Sequence, residues 1–257
     1  MRTGMGKLWD WLISVLGDSG AAGNRNRIHN GNFQVNQRAV SGTVTLAAGA
    51  YGHDRWKAGS GGCTYTFAAS GKDIVVNITA GSLLQVIEDK DVEGGQYRLS
   101  HTGTAQARIS VNGAAPSGAY AAAPLTSAAA TGGQSMTVEF GTGTVSKVQL
   151  EPGTVETAFE RRPYATELAL CQRHYETGSV SMRGYQVGGG AIYYFCNFKV
   201  PKRSAAGTTI TFSGTSLLNA SSILADSITT DGFRPSATAS TSGDTLFLVN
   251  FVPKSDL

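Results

Sequence analysis

With 33 glycines in 257 residues and only 15% charged residues, the chain lacks the composition of a coiled coil or helical bundle. Its 41% hydrophobic residues suffice for a core, which excludes a disordered tail. The net charge of +3 is spread thinly, as in Glu160-Arg161-Arg162 and Lys202-Arg203, so no basic face and no nucleic-acid partner are expected.

Residues 1–26 read as a unit apart. Lys7 to Leu16 predicts a short helix, with Thr3 as N-cap and Gly17 as its C-terminal stop. Leu8, Trp9, Trp11, Leu12, Ile13, Val15 and Leu16 cover most of its circumference, and Asp10 and Ser14 share one polar face. A helix of about ten residues is marginal alone in water, so it needs a partner. The linker-like Gly17 to Asn24 separates it from the strand-rich body, which points to an N-terminal anchor. Asp10 interrupts the apolar run and no clean cleavage site comes after it, so the segment is expected to be retained. No apolar run is long enough for a membrane span.

Residues 27–162 predict strand after strand. Tyr65 and Phe67 alternate with Thr64 and Thr66; Met136, Val138 and Phe140 alternate with Thr137 and Glu139. Further short strands are expected at 73–78, 83–88, 96–101, 105–111 and 144–151, separated by turn signals such as Asn112-Gly113. Val148 and Leu150 are expected to face in, with Lys147, Gln149 and Glu151 outward. This pattern indicates an antiparallel sandwich. Residues 163–257 begin with a linking helix over Thr166 to Tyr175, capped by Thr166, with Leu168, Cys171 and Tyr175 on one stripe. Strands are expected next at 192–200, 208–212 and 245–252, and residues 213–244 carry few large apolar groups. So small a β module is expected to complete its core against a neighbour.

Enzyme chemistry has little to stand on. His29, His53, His101 and His174 show no metal-binding spacing, and no GxSxG or Walker sequence occurs. Gly188-Gly189-Gly190 reads as a hairpin turn. Cys63, Cys171 and Cys196 are too few and too far apart for a disulfide framework, and free thiols in a reducing compartment are expected, with a Cys171–Cys196 pair left open. Asp89, Asp91 and Glu93 offer oxygen ligands that make a weak calcium candidate, against which Lys90 and the missing EF-hand spacing count. No cofactor and no catalytic residue are expected.

Three stretches carry a resemblance. They are Ile28-His29-Asn30-Gly31-Asn32-Phe33-Gln34-Val35-Asn36-Gln37-Arg38 with His53-Asp54-Arg55-Trp56; Val148 to Thr154 leading into Phe159-Glu160-Arg161-Arg162-Pro163-Tyr164; and Glu167 to Tyr175. Together they resemble the family of bacteriophage tail-fibre and tail-tip proteins, whose jelly-roll module is similar to carbohydrate-binding modules. The resemblance implies a non-enzymatic virion protein, homotrimeric, assembled in the host cytoplasm. Residues 1–26 would join other virion proteins, and the jelly roll and C-terminal β tip would meet host polysaccharide or lipopolysaccharide. Asn36 stands where the family commonly has Trp, and His174-Tyr175 where Tyr-Tyr is usual. In physical terms, Asp54-Arg55 is expected to pair and pin a loop, and Glu160-Arg161-Arg162 to form a hydrogen-bonding hinge. Candidate glycan contacts are Trp56, Tyr185, Tyr193, Tyr194 and Phe233, because aromatic faces stack on sugar rings. The other readings are a structural adaptor or decoration protein without receptor contact and, further off, a glycan-degrading spike.

Overall fold

The computed structural model describes residues 25–257, so the anchor helix expected at Leu8 to Leu16 lies outside the described residues. The chain is mainly β, with several antiparallel sheets and one α-helix among the described residues. Strands β1 (Val44–Leu46), β2 (Lys57–Ser70), β3 (Asp73–Ile87), β4 (Tyr97–Thr102), β5 (Ala107–Ser110), β6 (Leu125–Thr126), β7 (Met136–Phe140) and β8 (Gly143–Pro152) form the first module. The strands expected at 73–78 and 83–88 are one strand, β3. Its first half pairs with β8 and its second half with β7, so one strand feeds both sides of a sandwich-like body. Gly81 makes this possible: at φ +69° a Cβ there would meet Gly62 O at 2.1 Å, and β2 shifts register at that point.

The core of this module runs from Ile28 to Leu150 and includes Trp56, Tyr65, Leu99, Val138 and Phe140. At 64–67 Tyr65 is buried in the core and Phe67 packs against it; at 136–140 all five residues are buried, with Met136, Val138 and Phe140 in the core. Gln149 and Glu151 do point away from that core, yet they are 1% and 2% exposed. The segment after β8 folds back over them: Glu151 accepts from the Thr157 amide at 2.9 Å, and the Glu160 amide donates to Gln149 Oε1 at 2.7 Å.

Helix α1 (Tyr164–Gln172) starts at Pro163, without the Thr166 side-chain cap. Its buried face is Glu167, Cys171 and then His174; Leu168 is only half-buried. Beyond it, β12 (Thr209–Leu218), β15 (Gly243–Lys254) and β9 (Gly178–Gln186) form one sheet. A second contains β10 (Ala191–Tyr193), β14 (Gly232–Ala239) and β11 (Cys196–Asn197), with β13 (Ala220–Asp226) on β14. Ile192 and Ala237 of the second sheet meet Phe247 and Val249 of the first. The strand expected at 192–200 is broken at Tyr194–Phe195, and the apolar-poor stretch 213–244 contains β13 and β14. All three cysteines are buried and free, so Cys171 and Cys196 are not paired.

Candidate functional site

The residues that carry the family resemblance converge on the joint between the two β regions. Asn30 is fully buried: its Oδ1 accepts from the Val35 amide at 2.9 Å, and its Nδ2 donates to Asp54 O at 3.0 Å. Its carbonyl accepts from Trp56 Nε1 at 3.0 Å, and its amide donates to Glu167 of α1. Arg162 reaches back to the carbonyls of Ile28 (2.9 Å) and Asn26. Arg161 meets Asp73. The hinge expected at 160–162 is therefore a set of charge-assisted bonds to the first module.

Deeper in the joint, Arg55 does not pair with Asp54. Asp54 accepts from the Gln37 amide (2.6 Å) and side chain (2.8 Å). Arg55 instead crosses to α1's end, its Nη1 lying 3.1 Å from His174 Nδ1, and donates to Val86 O at 2.5 Å. Because guanidinium only donates, Nδ1 is the acceptor and His174 is the neutral Nε2–H tautomer. That Nε2 lies 2.9 Å from Glu88 Oε1, and Arg173 reaches Glu88 Oε2 at 3.0 Å. Burial and the Arg55 charge hold the His174 pKa down to about 4. Burial would raise the Glu88 carboxyl, but hydrogen bonds from His174 and Arg173 outweigh it and hold it below the carboxylate range. Burial, Arg55 and His174 likewise depress His29. The carboxylates of Asp54, Glu88 and Glu167 all bond other protein groups, while Arg55 Nε and His29 Nδ1 are buried without a partner; the joint is a fastening with a few unmet donors and acceptors.

Two of the aromatic candidates are corrected by burial. Trp56 is 0% exposed, stacked on Phe33 at 4.8 Å, and Phe233 is 0% exposed between Phe198 (5.8 Å) and Phe251 (5.0 Å). Neither presents a face to a ligand. Asn36 closes its own loop, bonding Val40 through both side-chain ends. Asp89, Asp91 and Glu93 are not brought together: Glu93 is held by Arg27 at 2.7 Å, and no group of three potential ligands for a metal occurs among the described residues.

Tyr185, Tyr193 and Tyr194 are 71%, 53% and 56% exposed. Tyr193 stands on the outer face of its sheet opposite Ser236, with the Arg234 guanidinium 4.9 Å from its ring. Arg234 Nε donates to Asp226 Oδ1 at 2.6 Å, and Ser236 Oγ to Asp226 Oδ2 at 3.2 Å. Tyr185 stands on the outer face of the other sheet, paired across strands with Asp244, which accepts from Arg183 Nε at 2.7 Å. Each arginine holds its aspartate's pKa below the usual range. Each place sets an exposed phenol ring on a strand near an Arg–Asp pair, and at Tyr193 the guanidinium lies over the ring. The tyrosines were legible as candidates, and Arg183 stands two residues from Tyr185 on the same strand, but Asp244, Arg234 and Asp226 lie far off in sequence and only strand register brings them close. Of ten large apolar side chains exposed among the described residues, eight lie between Tyr185 and Leu248, so contact surface is concentrated in this region. Among the described residues no helix is long and apolar enough to cross a membrane. Comparison with known proteins finds no matching family model, no matching curated protein and no matching solved structure.

Proposed function

We propose that this chain is a virion structural protein of a bacteriophage, a trimeric tail fibre or spike that attaches by residues 1–26 and contacts host-surface glycan with its β modules. In this reading residues 27–162 are a jelly-roll module and residues 163–257 a β tip. The observation that carries it is the concentration of exposed aromatic and aliphatic side chains between Tyr185 and Leu248, on the C-terminal sheets and the segments joining their strands, beside Arg–Asp pairs. Tyrosine rings stack on sugar rings, and guanidinium and carboxylate groups bond hydroxyls. Weak sites repeated on one rigid trimer would hold a repetitive surface by avidity. The motif resemblance supports the same reading.

The test uses purified full-length protein. Sedimentation is expected to give the mass of a trimer, and labelled protein is expected to coat some members of a panel of bacterial cells. Coating should be abolished by periodate oxidation of surface sugars and weakened in Tyr185→Ala and Tyr193→Ala. A monomer that binds no cell overturns the reading. A trimer that enters virions yet binds no cell favours the adaptor alternative.

A further inference from the structure

The first module carries a second kind of surface, away from the exposed tyrosines of the C-terminal sheets. On β7, Glu139 faces away from the core but is 3% exposed. Its Oε2 accepts from Arg108 Nε at 2.8 Å and its Oε1 from Ser82 Oγ at 2.5 Å. Gly59 lies hard against both: a Cβ there would stand 2.1 Å from Ser82 Oγ and 2.7 Å from Glu139 Oε1. Arg108 also donates to Gly118 O at 2.8 Å, and its guanidinium lies 4.5 Å from the ring centroid of Tyr120. A buried carboxylate is expensive unless fully bonded. Here the network it anchors fixes one ring in a loop.

Beside that ring is a cleft of about 440 Å³, lined by Gly81, Thr104, Gln106, Tyr120, Gly141 and Thr142. The volume falls within the range of small-molecule sites. Its lining contains an aromatic ring, an amide and two hydroxyls, and the tyrosine phenol is its sole ionisable group. Gly141 is informative. Its φ is not positive, and a Cβ would meet ring atoms of Tyr120 at an ordinary 3.8 Å, so the backbone there does not require glycine. A larger side chain at that position would lie against the ring, and glycine leaves it uncovered.

We propose that the cleft beside Tyr120 binds one uncharged saccharide unit, with the ring as its apolar platform and Gln106, Thr104 and Thr142 as hydroxyl partners. The ligand class rests on the glycan-contact reading; the place does not. The lining itself is uncharged, and the one nearby guanidinium, Arg108 beside the Tyr120 ring, is paired with Glu139, which argues against acidic sugars.

Affinity electrophoresis of the full-length protein in gels containing dextran, mannan, galactan or starch tests this. At least one polysaccharide is expected to retard the wild type. Gln106→Ala, an exposed change, should weaken that retardation by about tenfold, as befits one lost hydrogen-bonding group. Tyr120→Ala should abolish it, with circular-dichroism melting to establish that the variant is folded. Val155→Ala, an exposed change outside the cleft lining and outside the proposed glycan contacts, should leave it unchanged. No retardation by any of the four overturns the proposal, as does retardation that survives Gln106→Ala and Tyr120→Ala. Retardation lost only in Tyr193→Ala would sink the cleft while sparing the glycan-contact reading. Cell coating without cleft-dependent retardation would do the same.

Discussion

At the scale of single residues, the buried histidines make the fold sensitive to acid. His174 and His53 sit near pKa 4, both depressed chiefly by burial, against 6.5 for the free imidazole. The unfolded chain therefore takes up protons below about pH 6.5 that the folded chain refuses until about pH 4. Unfolding gains protons in that window, so stability falls as pH drops through it, by at most about 3 kcal/mol for each imidazole. His29, depressed well below its ordinary value, acts in the same direction. The expected result is a melting temperature that declines between pH 7 and pH 4. His53→Gln/His174→Gln should show a flatter decline, and an unchanged slope in that double variant would contradict the assignment. None of this was visible in sequence. His174 stands in a stretch whose resemblance marks it, but a histidine's neighbours Arg55 and Glu88 are fixed only by the folded joint.

At the scale of elements, helix α1 shows why periodicity misleads. The apolar stripe of Leu168, Cys171 and Tyr175 describes only part of its contact, because its inward face also carries Glu167 and His174. A helix can bury polar groups where the opposite module supplies their partners, and hydrophobic spacing has no way to register that. The same limit hid β13 and β14, where Ser, Thr and Ala pair along a sheet between few large apolar residues, Ile223, Leu224 and Phe233. Strands β2 and β7 were legible because one face of each packs on a large core. The helix joint can be measured. Arg173 and Glu88 are in direct contact, and Glu88 is 2% exposed at its side chain. In a double-mutant cycle of Glu88→Gln and Arg173→Ala, the coupling energy is expected to be about 1–3 kcal/mol, read from urea unfolding. Glu88→Gln alone should cost about 1–3 kcal/mol, since it takes the charge from the bonds to His174 and to the partly exposed Arg173. Additive effects would mean that the Arg173–Glu88 contact contributes nothing to holding the end of α1.

At the scale of the whole molecule, the two β regions have separate hydrophobic cores but share their polar fastenings. Besides the Glu88 cluster, Arg38 of the first module bonds Asp256 at 2.7 Å and lies 3.8 Å from the ring of Tyr175. Gln37 donates to Tyr175 O at 2.9 Å, and Ser255 in turn donates its amide to His174 O at 2.7 Å. Contacts thus tie the start of the first module, the linking helix and the last strand into one body. Cutting the chain before Pro163 would expose Cys171, His174 and Tyr175 and leave Glu167 without Asn30 and Arg162. Buried polar groups deprived of partners cost about 1–3 kcal/mol each, a large share of a small module's stability. Calorimetry of residues 25–257 should therefore give a single cooperative transition, and the 163–257 fragment should melt at least about 10 °C lower, the shift expected of about 2 kcal/mol or more in a module of this size. Two resolved transitions, with the fragment melting where the second one does, would show the regions to be independent. Under the proposed function, a C-terminal region fastened to the first module would present its exposed tyrosines in one orientation, so that several copies would meet a repetitive surface without losing binding energy to ordering the joint.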